Sequence, residues 1–139
     1  MTVITRKIQI ATRGNDHIVD ITGTVRRFVA ESGLKEGIAT IFVPGATGGV
    51  STIEYDPGLL KDFPRALERI APPGVTYEHG KRWGDDNGKS HVKATLIGPS
   101  LVVPFSKAAP ILGTWQQIVV MDFDTKARKR DVVIQVMGE

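Results

Sequence analysis

The hydrophobic period of this chain changes twice within its first third, and those changes restrict the fold more than any single motif. Thr5 to Thr12 alternates Arg6, Ile8 and Ile10 against Lys7, Gln9 and Ala11. That is the period of a half-buried strand with Ile8 and Ile10 turned to a core. From Asp20 to Ser32 the apolar residues Ile21, Val25, Phe28 and Val29 fall on one stripe of a helix. Asp20 or Thr22 is available as its cap, and Gly33 is placed to end it. Gly37 to Val43 is then short, β-rich and apolar almost throughout, the pattern of a buried strand, and Pro44 and Gly45 close it.

The remaining chain continues the alternation. The turn Arg13-Gly14-Asn15-Asp16 leads into His17-Ile18-Val19-Asp20, which can return as a second strand; His17 beside that turn reads as a surface or capping histidine. Val50, Thr52 and Glu54 alternate with Ser51, Ile53 and Tyr55 in a further strand that delivers Glu54 to its far end. Leu60, Phe63, Leu67 and Ile70 mark a second amphipathic helix from Leu59 to Ile70, kinked or restarted at Pro64 and ended by Pro72-Pro73-Gly74. Val92 to Ile97 is compatible with a short helix or a strand. Ser100 to Phe105 and the apolar run Ile118 to Met121 read as strands, the latter finishing in Asp122-Phe123-Asp124. A basic turn, Lys126 to Arg130, then joins a last strand, Asp131 to Met137, in an expected antiparallel hairpin. The expected fold is one α+β domain over residues 1–139, a mixed, mainly antiparallel sheet packed with two helices.

Composition removes several classes of function. At 139 residues the chain can bury a core without staples, and the absence of cysteine excludes disulfides, thiolate catalysis and Cys-type zinc sites. No apolar run approaches the roughly 20 residues that span a bilayer, and Met1 to Ile10 lacks the apolar block of a signal peptide. The expectation is a cytoplasmic protein without a membrane partner. The net charge of +3 is mild, and much of the positive charge gathers at Lys126, Arg128, Lys129 and Arg130. No aromatic residue is interleaved there, so a solvated basic turn is expected rather than a nucleic-acid surface. A phosphate-bearing small molecule stays open as a partner.

Chemistry-bearing residues gather between Tyr77 and Ser100. His79 and His91 flank a glycine-broken stretch that holds Trp83, Asp85, Asp86 and Asn87, too polar for a core element. Twelve positions separate the two histidines, so only a chain that folds back brings the imidazoles together. If it does, two nitrogens and an oxygen from Glu54, Asp85 or Asp86 would make an open site suited to Zn²⁺. Otherwise each ring hydrogen-bonds its own backbone neighbours. Adjacent Asp85 and Asp86 diverge, and one can cap a turn at Asn87-Gly88. Trp83, in a polar setting, can offer its ring to a heterocycle. Gly45-Ala46-Thr47-Gly48-Gly49 lacks the Gly-Lys-Ser/Thr of a phosphate loop, which leaves a tight turn or an anion cradle of backbone amides.

Tyr77-Glu78-His79, Asp86-Asn87-Gly88-Lys89-Ser90-His91, Leu96-Ile97-Gly98-Pro99-Ser100 and Leu112-Gly113-Thr114-Trp115-Gln116 together resemble the YjbQ family, sometimes labelled secondary thiamine-phosphate synthase. The likeness runs from the first helix to Gly138-Glu139. It implies a compact α+β domain assembled as a homotrimer, with a site near the histidine-bearing stretch that often holds a metal or an oxyanion. It further implies a weak joining of a pyrimidine diphosphate to a thiazole phosphate. His79, His91, Asn87, Glu54, Trp115 and Gln116 fall on the family's motif positions. Many relatives read His-Thr-Thr or His-Thr-Ser where this chain has Gly45-Ala46-Thr47, so a histidine that would complete a three-His site is missing.

The working expectation assigns catalysis to His91, Glu54, Asn87 and Asp85, and a divalent metal, Zn²⁺ or Mg²⁺, to His79 and His91. Gly45, Thr47 and Gly48 would hold phosphate oxygens, with Trp83, Trp115 and Gln116 also touching ligand. The alternatives are metal-dependent hydrolysis of a phosphoester or amide, with Glu54 or Asp85 as base, and a non-catalytic oxyanion-binding module.

Overall fold

The computed structural model describes residues 1–139. Its elements run β1 (Thr2–Thr12), β2 (His17–Asp20), α1 (Thr22–Glu31), β3 (Glu36–Phe42), β4 (Gly48–Ile53), α2 (Leu59–Ile70), α3 (Glu78–Trp83), α4 (Gly88–Ile97), β5 (Ser100–Ser106), β6 (Ala109–Pro110), β7 (Gln117–Asp122) and β8 (Arg128–Gly138). The α+β class is as expected. The helices number four, however, because the polar stretch after Tyr77 carries α3 and α4; Val92–Ile97, which suited either state, is helix.

The strands form two sheets, ordered β1-β8-β3-β5-β6 and β2-β7-β4. Every pairing is antiparallel, so no mixed sheet exists. Side-chain pattern explains the split. Ile118 and Val120 of β7 enter one core with Ile41, Val103, Ile134 and the α1 residues Val25, Phe28 and Val29. Val119 and Met121, on the opposite face, enter a second core with Leu67 of α2 and Ala94 of α4. A strand covered on both faces has no polar side, which is why β7 reads as an unbroken apolar run. The layers are therefore the five-stranded sheet, the three-stranded sheet, and α2 with α4.

Two expected pairings are replaced. β2 pairs with β7 and not with β1, and β7 and β8 lie in different sheets and form no hairpin. The chain between β7 and β8 crosses from one sheet to the other. Nor is the basic segment wholly a solvated turn: β8 starts at Arg128, and Arg130 is only 3% exposed. At the start of α1 the cap position falls on Ile21, which makes no side-chain cap, instead of on Asp20 or Thr22 as expected; Asp20 Oδ1, one residue earlier, accepts from the Thr22 N–H at 2.9 Å and its hydroxyl at 2.6 Å. No helix is long and apolar enough to cross a membrane.

Candidate functional site

Two attachments set α4 against the three-stranded sheet and the turn before β2, and a local turn bond precedes the helix. Ile97 rests on Gly49 of β4, where a Cβ would lie 2.9 Å from Ile97 Cγ2, so only glycine allows the helix this close. Lys93 donates to both Asp16 carboxylate oxygens, at 2.9 and 2.7 Å, deep in the molecule. Asp85 Oδ1 accepts from the Asn87 N–H at 3.2 Å in the turn that leads into α4, as foreseen for one member of the Asp85-Asp86 pair, although the helix itself has no side-chain cap. α3 folds back against α4 and returns His79 to His91.

The two imidazoles converge, with ring centroids 4.4 Å apart and planes inclined by 47°. Each ring is also anchored through Nδ1: His91 lies 2.9 Å from the Ala46 carbonyl oxygen, and His79 lies 3.1 Å from Asp85 Oδ1. Carbonyl and carboxylate oxygens only accept, so both Nδ1 atoms carry the proton and both Nε2 atoms keep a free lone pair in the neutral rings. The open alternative between converging rings and individually satisfied rings resolves into both at once.

An acceptor on Nδ1 is the arrangement seen at metal-bound histidines. The donor set here is nevertheless incomplete, because no group of three His, Cys, Asp or Glu side chains able to hold a metal forms in this chain. Asp85 is engaged at His79 Nδ1, on the ring edge away from Nε2. Asp86 is turned to solvent, its carboxylate 3.9 Å from Lys89 Nζ. Glu54 follows the end of β4 opposite Gly48, on the order of 20 Å away at strand rise. The expected site of two imidazoles plus one of these carboxylates is not assembled, and two donors are half of a tetrahedral shell.

Beside His91 runs the link from β3 to β4. Gly45 takes φ +113°, a conformation costly for any side chain, so a histidine here would require a different backbone. The N–H groups of Gly45, Ala46 and Thr47 donate to no protein acceptor. Gly45, Ala46, Gly48, His91 and Thr95 are among the residues lining a cleft of about 330 Å³. The Thr47 side chain, 4% exposed, points away into a polar cluster, where its hydroxyl donates to Asp124 Oδ2 at 2.9 Å and accepts from Arg130 Nη2 at 2.6 Å. Arg130 Nη2 also meets Asp122 Oδ1 at 2.7 Å, an ion pair joining the two sheets. Thr12 donates to the same carboxylate.

Asp124 ties this cluster to α4. Burial opposes ionisation of its carboxyl, but hydrogen bonds from Thr47, Asn87 and the Thr125 and Lys126 backbone outweigh burial and hold its pKa below the ordinary carboxylate value. Asn87 reaches it through Nδ2 at 3.5 Å, while Asn87 Oδ1 is buried without a partner. His17 is the capping histidine expected, its Nδ1 accepting from the Arg13 N–H at 3.0 Å. Burial and the Arg13 charge lower its pKa.

The other expected residues lie apart. Glu54 and Trp115 share a separate cleft with Asp20, Tyr55 and Asp56 at the far end of β4. Gln116 is spent on structure, accepting from the Gly113 N–H at 3.0 Å and donating to Thr52 Oγ1 at 3.2 Å. Trp83 is 65% exposed at the end of α3, with the Arg82 guanidinium 5.4 Å from its ring centroid. Sequence reasoning missed Arg130, Asp122 and Asp124. The parity of β8 carries the signal for Arg130, which falls in phase with the buried Val132, Ile134 and Val136.

Comparison with known proteins places this arrangement in a family. The family model for "UPF0047 protein YjbQ-like" matches residues 6–139. A UPF0047 protein of Methanocaldococcus jannaschii is 33% identical over 134 residues, covering 96% of this chain and 94% of that protein. The UPF0047 protein YugU of Bacillus subtilis is 35% identical over 135 residues, covering 96% and 98%. A crystal structure of a YbjQ-like protein from Sulfolobus solfataricus superposes with a TM-score of 0.93 at 30% identity over 99% of both chains. A shared fold and sequence over nearly the full length make this chain a member of the UPF0047 (YjbQ-like) family.

Proposed function

We propose that the cleft between the His79–His91 pair and the Gly45–Gly48 turn takes a small phosphorylated molecule. There it carries out, at a low rate, the transfer implied by the family resemblance: a pyrimidine diphosphate joined to a thiazole phosphate to give thiamine phosphate. The observation that carries this reading is the pair of imidazoles 4.4 Å apart, each tied down at Nδ1 with Nε2 unused, beside three successive amides with no acceptor. Free amides in a glycine-rich turn suit phosphate oxygens. With Nδ1 already protonated, a ring that takes up a second proton on Nε2 can donate it to the departing diphosphate as the pyrimidine's carbon–oxygen bond breaks and the thiazole nitrogen takes its place. The diphosphate leaves with the bonding electron pair. The exposed Trp83 ring offers a stacking face to a heterocycle. Mg²⁺ belongs to this reading as counterion of the diphosphate substrate, the two imidazoles alone being too few for a resident ion.

The test supplies purified protein with both precursors and Mg²⁺ and measures thiamine phosphate against His91→Ala. Loss of one positioned acid or base is expected to lower the rate about a hundredfold. Product no greater than the variant's would overturn the reading.

Phosphate or diphosphate binding without turnover is the second reading, favoured by the missing third metal donor. It expects ligand-dependent thermal stabilisation and no product. Metal-dependent hydrolysis fits less well, because its intended bases are engaged at His79 or lie a strand length away. The assembly we propose is a homotrimer acting in the cytoplasm. An apolar stripe along the outer face of the five-stranded sheet, with Phe42 41% and Val102 52% exposed, supports an interface between copies.

A further inference from the structure

Arg130 and Lys93 are both buried cations, each 3% exposed, but where Lys93 is matched by the Asp16 carboxylate the donors of Arg130 are only partly used. Its side chain is 2% exposed, and both of its hydrogen bonds, to Thr47 Oγ1 at 2.6 Å and Asp122 Oδ1 at 2.7 Å, leave from Nη2. Nε is buried with no partner. Nη1 makes no hydrogen bond and lies directly beneath the turn: a Cβ on Gly48 would come within 3.0 Å of it, and one on Gly45 within 3.5 Å. A guanidinium carries five N–H donors; Nε is the one buried unmatched, at a cost, while Nη1 is unpaired without being fully buried and so is open to an acceptor. Gly45 and Gly48 line the cleft that His91 also lines, and neither interposes a side chain between that cleft and Nη1.

We infer that Arg130 is a ligand-binding residue, its Nη1 donating from below to an oxygen of a phosphate or diphosphate held on the Gly45, Ala46 and Thr47 amides. This rests on the phosphate reading of the turn given above, and adds the buried cation which that reading lacked. Asp122 pairs with the guanidinium through Nη2, so its plane is preset while the Nη1 donors stay free for an anion. The ligand class follows from the donors. A compact, doubly charged terminal phosphate meets one cation and several amides at once, whereas a carboxylate leaves part of that set empty.

The experiment titrates the unmodified protein with inorganic phosphate and then diphosphate, following backbone amides and the arginine Nε–H and Nη–H resonances by NMR. The expected result is movement of the Gly45, Ala46 and Thr47 amides together with the Arg130 side-chain signals, at the same midpoint. Arg130→Lys should weaken diphosphate binding about tenfold or more, since a charge-assisted hydrogen bond is lost in a rigid setting. Gly48→Ala keeps the ion pair but presses a methyl on Nη1, and should weaken binding as well. Movement of the turn amides with Arg130 unmoved overturns the Arg130 assignment and leaves the phosphate turn standing. No movement at either overturns both, and shifts confined to exposed lysines mark nonspecific charge and do the same.

Discussion

One register position decides whether a basic side chain at the start of β8 meets water or the core. Arg128 and Lys129 are exposed, while Arg130, two places before the buried Val132, faces inward. The run Lys126 to Arg130 looks uniform by composition, and only the alternation of the strand behind it separates its members. Gly45 is the converse case: its departure from the family's histidine is plain in the sequence, but the φ of +113° that makes it a backbone matter is not. Asp124 was equally hidden, since its importance comes from Thr47 and Asn87, partners distant along the chain. Its folded pKa lies below the ordinary carboxylate value of 3.8. The unfolded chain therefore binds a proton there first as the medium is acidified. The stability contributed by Asp124 is complete above that value and is lost as pH falls through it toward the folded pKa. Asp124→Asn should lower the melting temperature at pH 7, and the gap to the unmodified protein should close below about pH 4. A gap of equal size at pH 7 and pH 3 would show that the carboxylate charge is not what binds the cluster together.

Among the elements, α3 and α4 were the least legible. α3 has six residues and no buried one, and its glycine-rich surroundings read as loop. α4 hides its period because two of its inward-facing residues are polar, Lys93 at 3% and Ser90 at 0% exposure. A lysine on the inner face breaks the apolar stripe by which amphipathic helices are recognised. α1 and α2 keep that stripe and stand within a residue or two of where periodicity put them. The same lysine fixes α4, and with it His91, through Asp16. Lys93→Met should lower the free energy of unfolding in urea by about 3–5 kcal/mol, because it leaves the Asp16 carboxylate buried and unpaired. Adding Asp16→Asn removes that charge and, at a position with φ 65°, suits asparagine. The double variant should regain much of the loss. Equal cost in single and double variants would mean that packing, not charge, holds the helix.

At the scale of the molecule, the apolar strands and the α+β class were readable from local pattern, but the division into two sheets was not. β7 and β8 follow one another across a short link, and adjacency in sequence favours a hairpin. The pairing that forms instead is decided by which faces are covered, a property of α2 and α4 packing on β7 from the other side. The five-stranded sheet has no such cover. Ile38 pairs with Pro104 and Met137 in one cross-strand row, and Thr40 pairs with Val102 in the next, so the outer face presents apolar side chains at neighbouring positions. Met137 is 38% exposed there and Val3, opposite it on β1, is 54% exposed. Exposed apolar side chains on a sheet face, interleaved here with Thr40, Gln135 and Ser100, are costly in water and are relieved by association. The proposed homotrimer therefore expects a light-scattering mass three times the 15.1 kDa chain. Val102→Asp sets a charge in the middle of that face without touching either core, so it should yield a folded single chain with unchanged circular dichroism. A monomeric mass for the unmodified protein at tens of micromolar would end the trimer reading. An unchanged trimer in Val102→Asp would move the interface off this sheet.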